Sequence, residues 1–405
     1  MNKAKIAREG EKGVEDGNIS EEQLESILNT YQQKDYRYLL VLFATLLVSI
    51  GVLIYVISDW AQVSNSIRIG IMVVSMVVLY SFGAYYYRRH EQQTDMYPQI
   101  VSMSFLLLGY VFFGATILLL IHLYDVIILS AWPYAIWGIV GLLLYFLYPH
   151  QLTFLSGLVI IIYGQIYSSL VFDQFNVYIF IIFLLGFLIV AYRYNSYLYS
   201  VSIAIGFVIH SLVATSMLTN EYYWFILFMF ILYALSEFIS RQKLKQSLFY
   251  VSVFSIFIFK TSETFMLQED YFPNELIYES VFFIILGIGI FGMIFYSFFT
   301  KESVKLVDIS LFIPLFFLPY HYLIIILSMF FFSLFYLIYG FQRGIQSRIV
   351  IGIVTFLLSA FTVYIQYAWE ALNKSLFFII GGLLLFGISF VLEKLRRNRE
   401  QGEAR

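Results

Sequence analysis

The sequence predicts an all-α, polytopic membrane bundle of about fourteen transmembrane helices, preceded by a short cytosolic N-terminal helical segment. Three observations predict it. Hydrophobic residues make up 61% of the chain and charged residues only 12%, against about 25% charged in soluble domains, and mean hydropathy is +0.82. The apolar residues fall in runs of about twenty, the length a helix needs to cross a hydrocarbon core of about 30 Å. The loops between the runs are short, and their Lys and Arg residues concentrate in alternate loops.

Residues 1–37 are the only sizeable polar segment, and they read as a cytosolic helical cap. Gly17-Asn18-Ile19 makes a turn, and Ser20-Glu21-Glu22-Gln23 has the form of a capping box opening a helix. Leu24, Ile27, Leu28 and Tyr31 then form a narrow apolar stripe at helical spacing. A helix over Lys3 to Val14 precedes it, interrupted by Gly10 and Gly13. Two such short helices are marginal alone, so the cap is expected to rest on the membrane domain or on a cytosolic protein partner.

The membrane domain, 38–394, opens with a hairpin from Tyr38 to Arg89. Two apolar runs are joined by the polar connector Ser58 to Ser66, with Asp59, Trp60 and Asn65. Arg68 follows the connector, and Arg88-Arg89-His90 closes the hairpin. The first run lies behind a charged leader and lacks a small-residue cleavage site, so it reads as a retained span rather than a signal peptide. Further spans are predicted at 99–122, 129–148, 152–171, 177–193, 196–217, 222–240, 247–266, 277–299, 304–319, 321–340, 348–367 and 375–394. The run at 304–319 is short, carries Asp308 and Pro314, and ends at Pro319, as a re-entrant or kinked element would. A basic cytosolic tail, 395–405, closes the chain.

Placing the N-terminus inside puts Arg88, Arg89, Arg193, Arg241, Lys243, Lys245, Lys301, Lys305, Arg343, Arg348, Lys394, Arg396, Arg397 and Arg399 on the cytoplasmic side. Only Arg68 and Lys374 lie near the other face, whose loops hold acids and aromatics, as in Gln268-Glu269-Asp270-Tyr271-Phe272. Both termini are then cytoplasmic. Asp59-Trp60 with Asn65-Ser66 in the first hairpin echoes Trp369-Glu370 with Asn373-Lys374-Ser375 in the last. An internal duplication and a chance convergence of interfacial Trp and Asn both account for that echo.

Composition excludes several chemistries. Cysteine is absent, which removes disulfides, thiolate catalysis, iron–sulfur clusters and thiolate zinc sites. The five histidines include no pair at i,i+3 or i,i+4 spacing, and no acidic metal cluster appears, so no metal is expected. A net charge of −2 gives no reason to expect nucleic acid. Glycine-rich phosphate loops and nucleophile elbows are missing too, and no cofactor is expected. Gly287, Gly289 and Gly292 suit a close helix crossing. Tyr85-Tyr86-Tyr87 and Tyr222-Tyr223-Trp224 stand at span ends, where an interfacial aromatic belt would lie.

Three stretches resemble an uncharacterised bacterial family of predicted multi-pass membrane proteins. Val14-Glu15-Asp16-Gly17-Asn18-Ile19-Ser20-Glu21-Glu22-Gln23, followed by Ile27-Leu28, is similar to that family's leader. The first hairpin, with Gly51, Asp59-Trp60 and Arg68, resembles its first two spans, although Asp59 stands where Asn is usual. Phe113-Gly114-Ala115 and His122-Leu123-Tyr124 resemble its third span, with His122 where Gln is commoner. The likeness covers the first 150 residues best and Gly381-Gly382 to Arg397 loosely. It implies a bacterial inner-membrane protein and no particular activity.

Ionisable and amide groups within apolar runs are the candidates for function, because burying them in a bilayer is costly. Lys260, Glu263, Glu279, His210, Gln165 and Gln366 all lie toward the predicted outer side and are read as a candidate polar cavity. Lys260 and Glu263 share a helix face at i,i+3 and would neutralise each other. The plainer alternatives are a structural ion pair, side chains reaching the interface and, for His210, an interhelical hydrogen bond. Arg68 with Asp59 or Asp125 is read as an outer-face clamp. Three function classes stay open: a transporter or flippase-like carrier with an outward-facing cavity, a non-catalytic scaffold or sensor whose cap binds a cytosolic partner, and a membrane enzyme acting through Glu263, Glu279 or His210. The enzyme is the least favoured, since no convergent pair of groups can be named.

Overall fold

The computed structural model describes residues 37–57, 63–90, 96–219, 221–268, 279–300, 304–318 and 320–371, with a few isolated positions besides. Nearly all of the expected cap over 1–37, Asp59 and Trp60, nearly all of the span at 375–394 and the tail at 395–405 lie outside these residues.

All regular structure among the described residues is helical. The helices are α1 (Arg37–Ile57), α2 (Asn65–His90), α3 (Met96–Leu123), α4 (Trp132–Leu147), α5 (Gln151–Phe172), α6 (Val177–Tyr194), α7 (Tyr197–Leu218), α8 (Trp224–Phe238), α9 (Gln242–Gln268), α10 (Ser280–Thr300), α11 (Val304–Ser310), α12 (His321–Arg343) and α13 (Gln346–Ala371). Among the described residues, nine helices are long and apolar enough to cross a membrane. The apolar stretches Leu39–Tyr55, Trp132–Leu147 and Trp224–Phe238 are shorter. The expected span at 304–319 is not a continuous helix, because α11 stops after seven residues. The chain forms two compact units, Met1–Ile161 and Ile162–Arg405, with the boundary inside α5.

In the first unit α3 packs against α1, α2 and α4. Its contact with α4 is the most specific. The Trp137 indole N–H donates to the Tyr110 carbonyl at 3.0 Å, and the Tyr110 hydroxyl donates to the Trp137 carbonyl at 2.9 Å. Both residues are buried, so each polar tip is satisfied without water. The indole ring lies directly on Gly114, where a Cβ would overlap its six-membered ring. Elsewhere on α3, Gly83 of α2 admits Leu106, whose Cγ would stand 2.7 Å from any added Cβ.

In the second unit α7, α8 and α9 pack together, and α9 also meets α12 and α13. Buried hydroxyls on these helices donate to carbonyls one turn back, as Ser211 does to Phe207 and Thr355 to Ile351 at 2.8 and 2.7 Å, which hides them inside apolar surroundings. Asn195, left-handed at φ 44°, ends α6, and its Oδ1 accepts the Lys243 N–H at 3.1 Å, tying that end to the start of α9. Of the three glycines on α10 only Gly289 meets a close neighbour. A Cβ there would stand 2.7 Å from Phe230 of α8, whereas Gly287 and Gly292 face open space.

The core of this unit is aromatic. Tyr223, at the span end where an interfacial belt is expected, is fully buried, stacked on Phe316 at 5.4 Å and edge-on to Phe282 at 4.7 Å. Phe312 packs against Phe230 and Tyr233 at 5.6 and 5.2 Å. These contacts fix the course of the broken segment. Asp308 lies by the C-terminal end of α8, Phe312 by its middle and Phe316 by its start. Residues 308–316 therefore run antiparallel to α8 along its whole length, although only the first few are helical.

Gly114→Ala is expected to lower the thermal midpoint of the purified protein, by about 1–3 kcal/mol in stability, because the Trp137 ring is anchored by its indole N–H to the Tyr110 carbonyl and is not free to step aside. A midpoint equal to wild type would mean that the α3–α4 contact is looser than its geometry.

Candidate functional site

The site is built around the backbone that the broken segment leaves outside any helix. From Leu311 to Leu318 the chain forms turns and bends, and Leu311, Phe312 and Phe316 within it are buried. Irregular backbone in an apolar interior needs partners for its polar groups. Lys260 supplies one. Its ammonium, fully buried, reaches across from α9 and donates to the Ile313 carbonyl at 3.3 Å.

Glu263 stands one turn further along α9 and is 2% exposed. It lies outside ion-pair distance of Lys260, and neither of its carboxylate oxygens has a hydrogen-bond partner. The Tyr222 hydroxyl faces the carboxylate without closing a bond of good geometry. The two charges thus share a helix face without neutralising each other by contact. A buried cation with donors to spare and a buried carboxylate without a closed hydrogen bond are costly in an apolar interior, which makes the pair the candidate for function in this unit.

The other candidates have local partners. The Glu279 carboxylate accepts the Trp224 indole N–H at 2.7 Å, and its backbone N–H donates to the Tyr223 hydroxyl at 3.3 Å. It therefore fastens the start of α10 to the start of α8, next to the Tyr222 that faces Glu263. Gln366 sits one turn from Thr362, whose hydroxyl meets that of Thr261 on α9 at 3.4 Å. Gln165 pairs with backbone: with its amide nitrogen turned toward Asn176, it donates to that carbonyl at 3.1 Å and accepts that N–H at 3.2 Å. Asn176 in turn caps α6.

His210 is 1% exposed, and its Nδ1 lies 2.8 Å from the Gly206 carbonyl. Its ring stacks on Phe183 at 4.5 Å. Phe183 opens the π-helical turn Phe183–Leu188 within α6, and Gly206 leaves room for its ring. The histidine thus supports a widened helical turn, a feature periodicity does not signal. In the first unit Arg68 donates from Nε to the Val63 carbonyl at 2.8 Å. Asp125 is exposed, left-handed at φ 47°, and makes no ion pair with Arg68.

A second group of charges was not singled out from the sequence. A cavity of about 270 Å³ opens where α8 ends and α9 and α13 begin, lined among others by Glu237, Lys245, Asp308, Tyr336, Ser347 and Arg348. Asp308, 3% exposed, accepts a short hydrogen bond from the Tyr336 hydroxyl and faces Arg348. Lys245 pairs with Glu237 at 3.4 Å. In the sequence these residues pass for loop charges. The one available signal was Asp308, an acid inside an apolar run that also holds Pro314. No group of three or more potential metal ligands is found among the described residues.

Residues 12–154 match a family described as a predicted membrane protein, DUF2157. The likeness to DUF2157 takes in the leader, the first hairpin and the Gly114 region, the stretches whose residues suggested it. It ends inside α5, so Lys260, Glu263 and Asp308 all lie beyond it. No curated protein and no solved structure matches the chain. The chain is thus a predicted membrane protein with several apolar helices, similar over its N-terminal third to DUF2157.

Lys260→Met is expected to destabilise the protein by about 1–3 kcal/mol, since it strands the Ile313 carbonyl without a donor. Glu263→Gln removes no hydrogen bond and is expected to leave the thermal midpoint at or above wild type. Unfolding of both variants in the same detergent checks the contrast, and equal losses would make Glu263 a structural residue.

Proposed function

We propose that the chain is a multi-pass carrier, a transporter or flippase-like protein of the bacterial inner membrane, and that its polar path follows the broken segment of the second unit. One observation carries this reading: a segment running the length of α8 has only seven helical residues, carries the buried Asp308 near one end and takes the buried Lys260 ammonium on its Ile313 carbonyl, beyond the helical part. Discontinuous crossings of this kind are how carriers expose backbone carbonyls and helix ends to a solute.

Topology supports it. With both termini cytoplasmic and the basic loops inside, α10 ends inside and α12 starts outside, so 304–320 is the crossing between them. Lys260 and Glu263 then lie toward the outside, and the cavity bordered by Lys245 and Arg348 toward the cytoplasm. The outward-facing polar region and the cytoplasmic cavity become two ends of one route, divided by the buried aromatic layer of Phe230, Tyr233 and Phe312.

The chain has no cysteine, so accessibility can be read directly. Single cysteines replacing Glu263, Ile313 and Asp308 are to be labelled with a membrane-impermeant maleimide in intact cells and in everted vesicles. Labelling at Glu263 from outside and at Asp308 from inside is the expected pattern. Absence of labelling at all three from both sides, with a cysteine at exposed Asp125 labelled as control, would overturn the carrier reading.

A further inference from the structure

The cavity between α8, α9 and α13 is unevenly satisfied. Its two acids each have a donor: Tyr336 for Asp308, and Lys245 for Glu237 at 3.4 Å. Its cations are not used up. The Arg348 guanidinium lies over the rings of Tyr336 and Tyr339, at 5.7 and 5.0 Å from their centres, and has no ion-pair contact with Asp308. Its Nη1 is buried and donates to nothing. A buried guanidinium N–H without an acceptor is costly, and the ring contacts hold it in place without supplying one.

Two further features point the same way. Ser347 and Arg348 sit in the first turn of α13, a helix of 26 residues, whose dipole favours negative charge there, although the Arg348 and Ile349 N–H groups already donate to the Ile345 carbonyl. Lys245, about two-fifths exposed, adds a second cation at the mouth, where an incoming anion would first meet it. The guanidinium fork matches the oxygens of a phosphate in two parallel hydrogen bonds. The volume, about 270 Å³, exceeds what one inorganic ion fills and approaches the lower limit of small-molecule sites.

We propose that this cavity is a binding site for a phosphate-class oxyanion, held by Arg348 with Lys245 and Ser347. Arg348 takes the anion on its unused Nη1. Lys245 turns from Glu237 to the anion, and the Ser347 hydroxyl donates to a third oxygen. Tyr336 keeps the Asp308 carboxylate engaged, so that it does not close on the guanidinium when the site is empty. The same chemistry would come from a soluble phosphate ester or from the phosphate of a lipid headgroup. The inference stands on the cavity itself and does not require the carrier reading.

The test uses the full-length protein in a neutral detergent. Inorganic phosphate is titrated against the thermal midpoint at constant ionic strength, and phosphatidylglycerol is added to the micelles in a parallel series. Wild type, Arg348→Gln, Lys245→Gln, Ser347→Ala and, as control, Arg343→Gln are compared. A saturable rise in wild type and in Arg343→Gln is expected with at least one of the two probes. Binding should weaken about ten-fold or more in Arg348→Gln, for a lost charged hydrogen bond, and several-fold in Lys245→Gln. A response to inorganic phosphate assigns a soluble ligand, and a response to the lipid alone assigns a headgroup. Should Arg348→Gln fail to fold, Lys245→Gln and Ser347→Ala carry the comparison. No saturable rise with either probe, or equal rises in all variants, overturns the site. That outcome leaves the cysteine pattern untouched, so the two ideas fail separately.

Discussion

The hydrogen bond from Lys260 to the Ile313 carbonyl gives the irregular backbone of the second unit a partner in its apolar interior. An apolar interior tolerates irregular backbone only where its carbonyl and N–H groups find partners, and the stretch after α11 has few helical bonds to offer. A lysine is suited to the task, since its long stem crosses the gap between elements and its ammonium brings three donors. With that carbonyl held, the aromatic rings of 312–317 can fill the space between α8, α10 and α12. Asp308 is then carried to the opposite end, beside Tyr336 and Arg348.

The two units solve their packing in different ways. In the first, a reciprocal pair of bonds between Tyr110 and Trp137 locks α3 to α4 over Gly114, and no charged side chain is buried among its described residues. Such an arrangement is rigid, because removing any of the three leaves a void, an overlap or an unsatisfied group. In the second, stability comes from a diffuse aromatic core in which no one pair dominates. Its charges are fastened loosely, each with bonding capacity left over at Lys260, Glu263 or Arg348. Spare capacity of that kind costs stability and is where binding energy can be gained.

Particular residues show what the sequence could carry. Lys260 and Glu263 were legible because an ionisable group inside an apolar run is conspicuous without knowledge of its neighbours. The kink at 304–319 was legible for the same reason, from Asp308, Pro314 and Pro319. Gln165 and Glu279 looked similar to Lys260 in the sequence, yet one pairs with the Asn176 backbone and the other with Trp224 and Tyr223. Nothing local distinguishes an amide that will meet a backbone from one that will meet a ligand. The place of Tyr223 at a run's end is visible in the sequence, but its burial is not, since that comes from Phe282 and Phe316, more than fifty residues away.

The sequence by itself determined the membrane class, the all-helical architecture and most helix positions, because run length and hydropathy are local sums that no tertiary contact reverses. Tertiary structure alone decided which charges stay partnered. Lys260 could have met Glu263 three residues away on the same helix face, but its side chain reaches a carbonyl fifty-three residues distant and the two charges stay outside ion-pair distance. Arg348, Lys245 and Asp308, which count as loop charges and a helix breaker along the chain, become the lining of one cavity only when α8, α9, α11 and α13 converge. That convergence depends on side-chain packing between distant helices, which is not written in the spacing of any single run.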